Sequence, residues 1–375
     1  MSAPVSTVLV RGTGLLGTSI GLGLRARGTT VLLHDPSPSA QAVAQDIGAG
    51  RAHPVDAAGV LIPDDGPSPE VVIVAAPPDV TGQVVVDSLR RFPAAVVMDI
   101  ASVKVQIAAD VAEAVSEGTI TAQDAARYVG THPMAGRERS GPVAARGALF
   151  TAAPWVVCPN EHTVPEAVES AEQLARALGA TVYRMGAEEH DASVALISHL
   201  PQIAASLVAS RLQETPAGSL ALAGNGLRDT TRIAASDPQL WVQILSANAP
   251  QIVEILYGVR EDLNRLIGTM EQPTAPGSRL DIAQLIAEGN AGQARIPGKH
   301  GAPPQAFAVV TVLVDDTPGQ IAAVLADVGE AGVNVEDLRM DHSAGYEVGM
   351  LEISVVPGHK QELTDALTAR GWKVV

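Results

Sequence analysis

Cysteine is nearly missing from this chain: Cys158 is the only one among 375 residues. That excludes an intramolecular disulfide framework and a cysteine-built zinc site, and it suits a reducing cytoplasm. Positive charge is short as well, with 25 Lys and Arg against 41 Asp and Glu and a formal net charge of −16. Neither the total nor any local cluster offers the basic surface that nucleic-acid phosphates demand, so no nucleic-acid partner is expected. Long apolar runs are also missing. None reaches the ~18–20 residues of a membrane helix, and Met1-Ser2-Ala3-Pro4-Val5-Ser6 has no basic region of a secretory signal. The expectation is a soluble, cytoplasmic protein without a membrane partner. Aromatic residues supply 3% of the chain, against 46% hydrophobic and 18% charged residues, which fits a compact core of small aliphatic side chains. The length leaves room for two or three domains at roughly 100–200 residues each. An acidic protein that binds an anion needs a locally basic pocket, so each arginine near a candidate site is informative.

The first pattern present is one that binds phosphate. Thr7-Val8-Leu9-Val10 is a continuous apolar run of the kind buried on both faces of a parallel sheet. Gly12-Thr13-Gly14-Leu15-Leu16-Gly17 follows and opens a helical run. Gly12 permits a tight turn, Gly14 lets the backbone approach a pyrophosphate, and Gly17 lets the helix pack on the strand, with phosphate at the helix N-terminus. The next strand, 30–34, ends at Asp35, placed to accept from a ribose 2′-hydroxyl and to repel a 2′-phosphate, so NAD is expected over NADP. Asp35 is alternatively a turn cap beside Pro36, and Arg11 or Arg27 could reach a phosphate. A further buried strand, 70–76, stops at Ala76-Pro77-Pro78, at the end of the sheet where open parallel sheets bind ligands. The cofactor set is therefore Gly12, Gly14, Leu15, Leu16, Gly17, Asp35, Ala76 and Pro77.

Strands at 95–99, 128–130, 153–159 and 181–184, with a helix over 165–178, complete a Rossmann-type doubly wound parallel sheet over residues 1–186. From 187 to 292 the pattern becomes helical: one helix over 188–212 kinked at Pro201, and another over 239–270 capped by Ser236-Asp237-Pro238. The second is apolar on more than one face, which suggests a dimer interface and hence a homodimer. Residues 293–305, with Ile296-Pro297-Gly298 and Pro303-Pro304, read as a linker. Residues 306–375 follow the order βαββαβ of a ferredoxin-like module. The fold class is thus α/β, with an all-helical dimerisation domain and a ferredoxin-like tail.

Thr131-His132-Pro133-Met134-Ala135-Gly136 puts a histidine in a segment with no helical apolar period, following the strand at 128–130 and at the rim of the sheet. His132 is the candidate base, because an imidazole titrates near working pH. Ser102 lies at a strand-to-helix turn on the same rim, as a helix cap or as a hydrogen-bond partner of a reacting alcohol. Arg232 sits among Thr230, Thr231, Ile233 and Ala234, and a planar guanidinium there suits a carboxylate better than an uncompensated apolar setting. Asn225 between two glycines suits close backbone approach, Asp229 orients an arginine or caps, and His199 and Trp241 line a pocket or pack a helix. No metal is expected. Arg137 and Arg139 are either charges near an anionic pocket or solvated.

The glycine fingerprint, Asp99-Ile100-Ala101-Ser102-Val103-Lys104, the His132 segment, Ser198-His199-Leu200-Pro201 and Arg228-Asp229-Thr230-Thr231-Arg232, in that order, resemble the prephenate/arogenate dehydrogenase family over about residues 7–290. The tail, with Asp316-Thr317-Pro318-Gly319 and Gly332-Val333-Asn334, is similar to an ACT domain. The resemblance implies NAD-dependent oxidative decarboxylation of prephenate to 4-hydroxyphenylpyruvate in tyrosine biosynthesis. It implies His132 as base, Ser102 as its hydrogen-bond partner, and Arg232, His199, Gln202 and Asn225 toward substrate. It further implies an amino acid effector, tyrosine first, near Asp316, Gly319, Val333 and Asn334, unless these residues form only a turn. Gln202 replaces a second histidine found in some prephenate-using members, and a neutral amide that both donates and accepts leaves arogenate or an amino-substituted prephenate open as substrate. A non-catalytic NAD-binding, amino-acid-sensing regulator is the reading from another class, and it has no use for a base.

Overall fold

The structure, a computed structural model, describes residues 5–64, 66–136, 141–298, 306–342 and 348–375. Strands β1 (Thr7–Arg11), β2 (Thr30–His34), β3 (Arg51–Ala52), β4 (Val71–Val74), β5 (Val96–Asp99), β6 (Tyr128–Pro133), β7 (Pro154–Cys158) and β8 (Thr181–Arg184) form one sheet in the order β3-β2-β1-β4-β5-β6-β7-β8. From β3 through β6 every pairing is parallel. The order reverses between β1 and β4, and the crevice outside the carboxyl ends of those two strands is where such sheets bind dinucleotides. Val8 and Val10 pack with Ile20 and Leu24 on one face, while Leu9 packs with Val85 and Ile107 on the other. Each such buried side chain contributes about 1.5–3 kcal/mol, so an unbroken apolar run is favoured only between two helical layers.

The sheet departs from the all-parallel expectation at its far edge. β7 pairs antiparallel with β6, and β8 runs parallel to β7. A parallel return needs a crossover, usually an α-helix. Among the described residues between β6 and β7 the only helical turn is the short Pro142–Ala144, so the chain folds back instead, with Met134 N–H donating to the Pro154 carbonyl at 2.8 Å.

Ala187–Ser210 is one continuous helix. Its middle, Ala195–His199, widens into a π turn just before Pro201. Proline has no N–H for the carbonyl four residues back and its ring crowds that carbonyl. By length and mean hydropathy, 1.5, this helix is apolar enough to cross a membrane, which the count of uninterrupted apolar residues did not anticipate. The helix expected over 239–270 is instead two, Pro238–Ala247 and Ala249–Glu271, broken at the buried Asn248. Pro250 clashes with the carbonyl four residues earlier, which accounts for the break. Asp237 caps the first of the two, accepting from Gln239 N–H at 2.9 Å.

The chain divides into two compact units, Met1–Ser210 with Thr231–Val259, and Arg211–Thr230 with Arg260–Val375, so the helical region contributes to both. The second unit contains β9 (Ala308–Asp315), β10 (Asp337–His342), β11 (Val348–Val355) and β12 (Lys373–Val374), an antiparallel sheet in the order β10-β11-β9-β12, with helices Gln320–Glu330 and Lys360–Ala369 between strands. Leu351, Ile353 and Val355 alternate inward from β11 onto Val324, Val328, Leu363 and Leu367, the period of two that fixes register.

Candidate active site

The glycine loop has the stereochemistry its sequence suggests. Gly12 has φ +111°, and a Cβ there would stand 2.3 Å from the Ala75 carbonyl oxygen. A Cβ on Gly17 would stand 2.0 Å from the Gly12 oxygen. Gly14 has no heavy atom within 4 Å of its Cβ position, and the helix Leu15–Arg25 behind it has no side-chain cap. Close packing at two glycines and open space at the third, before a helix with free N–H groups, is a cradle a phosphate fits. Asp35 is already at work within the protein: Oδ2 accepts from Thr13 N–H (2.6 Å) and hydroxyl (2.9 Å), and Oδ1 accepts from Ser37 N–H (2.8 Å). It therefore holds the loop, with lone pairs to spare for a ribose. The Thr81 hydroxyl ties the Ala76 and Pro77 carbonyls at 3.0 and 2.8 Å. The two arginines are placed elsewhere. Arg11 binds Asp87 and Ser88, and Arg27 binds the Gly23 carbonyl.

His132 lies within β6, opposite Val156 of β7, rather than in the turn beyond the strand. Its Nδ1 is 2.9 Å from His190 Nε2, and His190 Nδ1 is 2.7 Å from Asp191 Oδ1. Asp191 also accepts from the backbone N–H groups of Lys104 (2.8 Å) and Val105 (2.9 Å), the start of the helix Val105–Ser116. That helix is thus capped by a carboxylate from another helix, and its own Ncap is Lys104, not Ser102. Ser102 makes no side-chain hydrogen bond within the described residues, so the partner of His132 in the protein is His190, not the serine the resemblance implies. Burial, and then the neighbouring His190, Lys104 and His199, hold the His132 imidazole well below the usual histidine range. It is a neutral ring at neutral pH.

Beneath it, Lys104 and Asp99 form a fully buried ion pair, and Asp99 also accepts from Tyr128 OH (2.8 Å) and Ala101 N–H (2.9 Å). Burial, then the Asp99 charge, pushes the Tyr128 hydroxyl well above its ordinary value. His199, in the π turn, is fixed by Asn248. The Asn248 amide nitrogen donates to the Asp191 backbone carbonyl at 2.8 Å and lies 3.2 Å from His199 Nδ1. A carbonyl only accepts, so the amide nitrogen must face it; its second hydrogen makes His199 Nδ1 an acceptor and leaves Nε2–H as a donor. Burial, partly opposed by Asp191, pushes His199 down to about 4. Trp241 stands edge-on to this ring at 6.1 Å.

The remaining predicted residues are placed unevenly. Gln202 is buried and engaged by Ser236 (3.3 Å) and Ser206 (3.4 Å). Arg232 is exposed, in the short turn Arg232–Ala234 that packs on Leu200–Ser210. Its apolar sequence neighbours had suggested burial, and an exposed guanidinium needs no anion to offset desolvation. Asn225 opens the helix Asn225–Thr231 of the second unit. Asp316 lies in the turn after β9, Gly319 has φ +93° before the helix Gln320–Glu330, Val333 packs into that module's core, and Asn334 donates to Glu336 at 2.7 Å. Arg137 and Arg139 lie outside the described residues. No cluster of three metal-ligating side chains occurs among the described residues. His190, Asp191 and Asn248 were not singled out from sequence, although Pro250 marks the break that turns Asn248 inward.

A neutral imidazole at the carboxyl rim of a sheet whose glycine loop accepts a dinucleotide answers the two needs of alcohol oxidation, somewhere for hydride and somewhere for the proton. The class is an NAD-dependent oxidoreductase. Family models narrow it: the prephenate dehydrogenase nucleotide-binding domain matches residues 20–184 and the prephenate dehydrogenase dimerization domain matches residues 186–280. The chain belongs to the prephenate dehydrogenase family. It is 34% identical to the probable prephenate dehydrogenase NovF of Streptomyces niveus, over 98% of both chains. It is 27% identical to the prephenate dehydrogenase of Bacillus subtilis, over 94% of this chain and 93% of that one. Among solved structures it shares the fold of Aquifex aeolicus prephenate dehydrogenase in complex with hydroxyphenyl propionate and NAD+, at TM-score 0.63 and 23% identity, over 76% of this chain and 98% of that one.

Proposed function

We propose that the chain oxidises and decarboxylates prephenate to 4-hydroxyphenylpyruvate, with His132 taking the proton of the ring hydroxyl. The observation that carries this is the state of His132: Nδ1 is occupied by His190, the ring is held neutral, and Nε2 is left for a substrate. Gly12, Gly14, Leu15, Leu16, Gly17, Asp35, Ala76 and Pro77 would hold NAD, which supplies a hydride acceptor. As the carbonyl forms, the ring carboxyl leaves as carbon dioxide and the ring becomes aromatic. His199 offers Nε2–H to a substrate oxygen, Ser102 a hydroxyl on the same rim, and exposed Arg232 a guanidinium for a carboxylate. Gln202 and Asn225 are further substrate contacts.

The tail acts as an ACT domain that binds an amino acid, tyrosine first, at the turn of Asp316 and Gly319 and the backbone of Val333 and Asn334. Its βαββαβ order supports this. A homodimer is supported by the large apolar side chains left exposed in the segment that matches the dimerization model, among them Leu196, Ile197, Leu207 and Val242. We place the enzyme in the cytoplasm, where tyrosine biosynthesis would supply its substrate. Arogenate is the second reading, favoured by a neutral Gln202 amide among serines rather than a second imidazole. Steady-state assays of prephenate and arogenate, each with NAD+ and NADP+, decide it. Prephenate with NAD+ is expected to give the highest kcat/KM; a preference for arogenate would transfer the proposal to that substrate, and turnover of neither would end it.

A further inference from the structure

The side chains behind His132 are more ordered in their chemistry than a base alone requires. Backbone N–H groups can only donate, so the two that meet Asp191, from Lys104 and Val105, make both its oxygens acceptors. His190 Nδ1, 2.7 Å from Oδ1, must then carry a hydrogen. A neutral His190 is left with a lone pair on Nε2, and at 2.9 Å that lone pair takes the hydrogen of His132 Nδ1. The one ring nitrogen of His132 with an open lone pair is Nε2. The first two steps follow from groups that act in one direction only, and the third takes His190 as the neutral ring.

We propose that His190 and Asp191 are positioning residues that hold His132 in the tautomer with Nε2 unprotonated, and that bring the Asp191 charge to the imidazolium formed when His132 takes the substrate proton. The proposal rests on His132 being the base. The step balances with the dinucleotide of the proposed function as oxidant: the substrate O–H bond breaks as the His132 Nε2–H bond forms, and the hydride from the broken carbinol C–H bond would be taken up by NAD. Lys104 is the fixed cation whose field opposes charge on His132. Lys104 is itself matched by Asp99, so the carboxylate that reaches His132 through hydrogen bonds is Asp191. It is anchored on the N-terminus of Val105–Ser116, which fixes its position and favours its negative charge. His199, by contrast, is locked by Asn248 with Nε2 protonated. The two rings therefore present opposite faces, one accepting and one donating, and their neighbours impose the difference.

The test uses the full-length enzyme labelled with 15N-histidine and saturated with NAD+. Long-range 1H–15N correlation spectra distinguish protonated from bare ring nitrogens, with assignments from His132→Asn and His190→Gln. His132 is expected protonated at Nδ1 and bare at Nε2. In His190→Leu, kcat is expected to fall about 10- to 1000-fold, the range between a lost supporting hydrogen bond and a wrong tautomer. The KM for substrate and the Kd for NAD+ should change by less than about threefold. His190→Gln, which keeps an acceptor for Nδ1, should recover part of the loss, and Asp191→Asn should lower kcat in the same direction. His132 protonated at Nε2 in the wild type overturns the proposal, as does a folded His190→Leu with unchanged kcat or with a change confined to KM. If no variant folds, the wild-type spectrum decides alone. That spectrum needs no substrate, so its failure is distinct from a failure to turn over prephenate or arogenate.

Discussion

His132, half-buried, and His199, buried, make different hydrogen bonds within one cluster. Their neutrality has a cost that pH exposes. His199 sits at about 4 in the folded protein against 6.5 when free, so the unfolded chain takes the proton first. This contribution to stability is complete above about pH 6.5 and is lost as pH falls from there toward 4. His132, shifted in the same direction, adds to the loss. Urea unfolding at steps between pH 7.5 and 4.5 is expected to show declining stability, with a smaller decline in His199→Asn; equal slopes in the two proteins would contradict it. Arg232→Ala should raise the substrate KM about tenfold or more with kcat less affected, since a carboxylate held in both ground and transition states affects binding first. An unchanged KM would place the carboxylate elsewhere. His132 was legible in the sequence because nothing helical explained it. His190 and Asp191 were not, because Glu188-Glu189-His190-Asp191 reads as the solvated acidic start of a helix, and only the fold turns two of those side chains inward.

At the scale of elements, continuous apolar runs announced β1, β2, β4 and β5 because strands buried on both faces tolerate little else. Strand direction was not legible for β7 and β8. It depends on what joins them, and the apolar pattern is the same either way. Pro250 was visible, but the apolar period on both sides of it favoured one long helix over two. The junction of β5 with the helix Val105–Ser116 holds a fully buried ion pair, Lys104–Asp99. Lys104→Met would leave the Asp99 carboxylate buried with only Tyr128 and Ala101 as partners. Removal of one partner of such a pair costs about 3–5 kcal/mol. Chemical denaturation should show a loss of that order, and a loss below about 1 kcal/mol would mean that Asp99 is relieved in some other way.

For the whole molecule, the sequence already carried the division of labour, with a glycine loop for the dinucleotide, a helical region that leaves apolar side chains exposed, and a small antiparallel module at the end. The division into compact units was not legible, since helices 211–230 and 260–293 join the C-terminal module by contacts that no local pattern encodes. The most direct measurement is turnover of prephenate by His132→Asn at saturating NAD+, with the Kd for NAD+ measured on the same protein. A general base is worth about two to four orders of magnitude, so kcat should fall by that much while the Kd stays within about threefold. Turnover within a few-fold of the wild type, with NAD+ bound as before, would remove His132 from the chemistry.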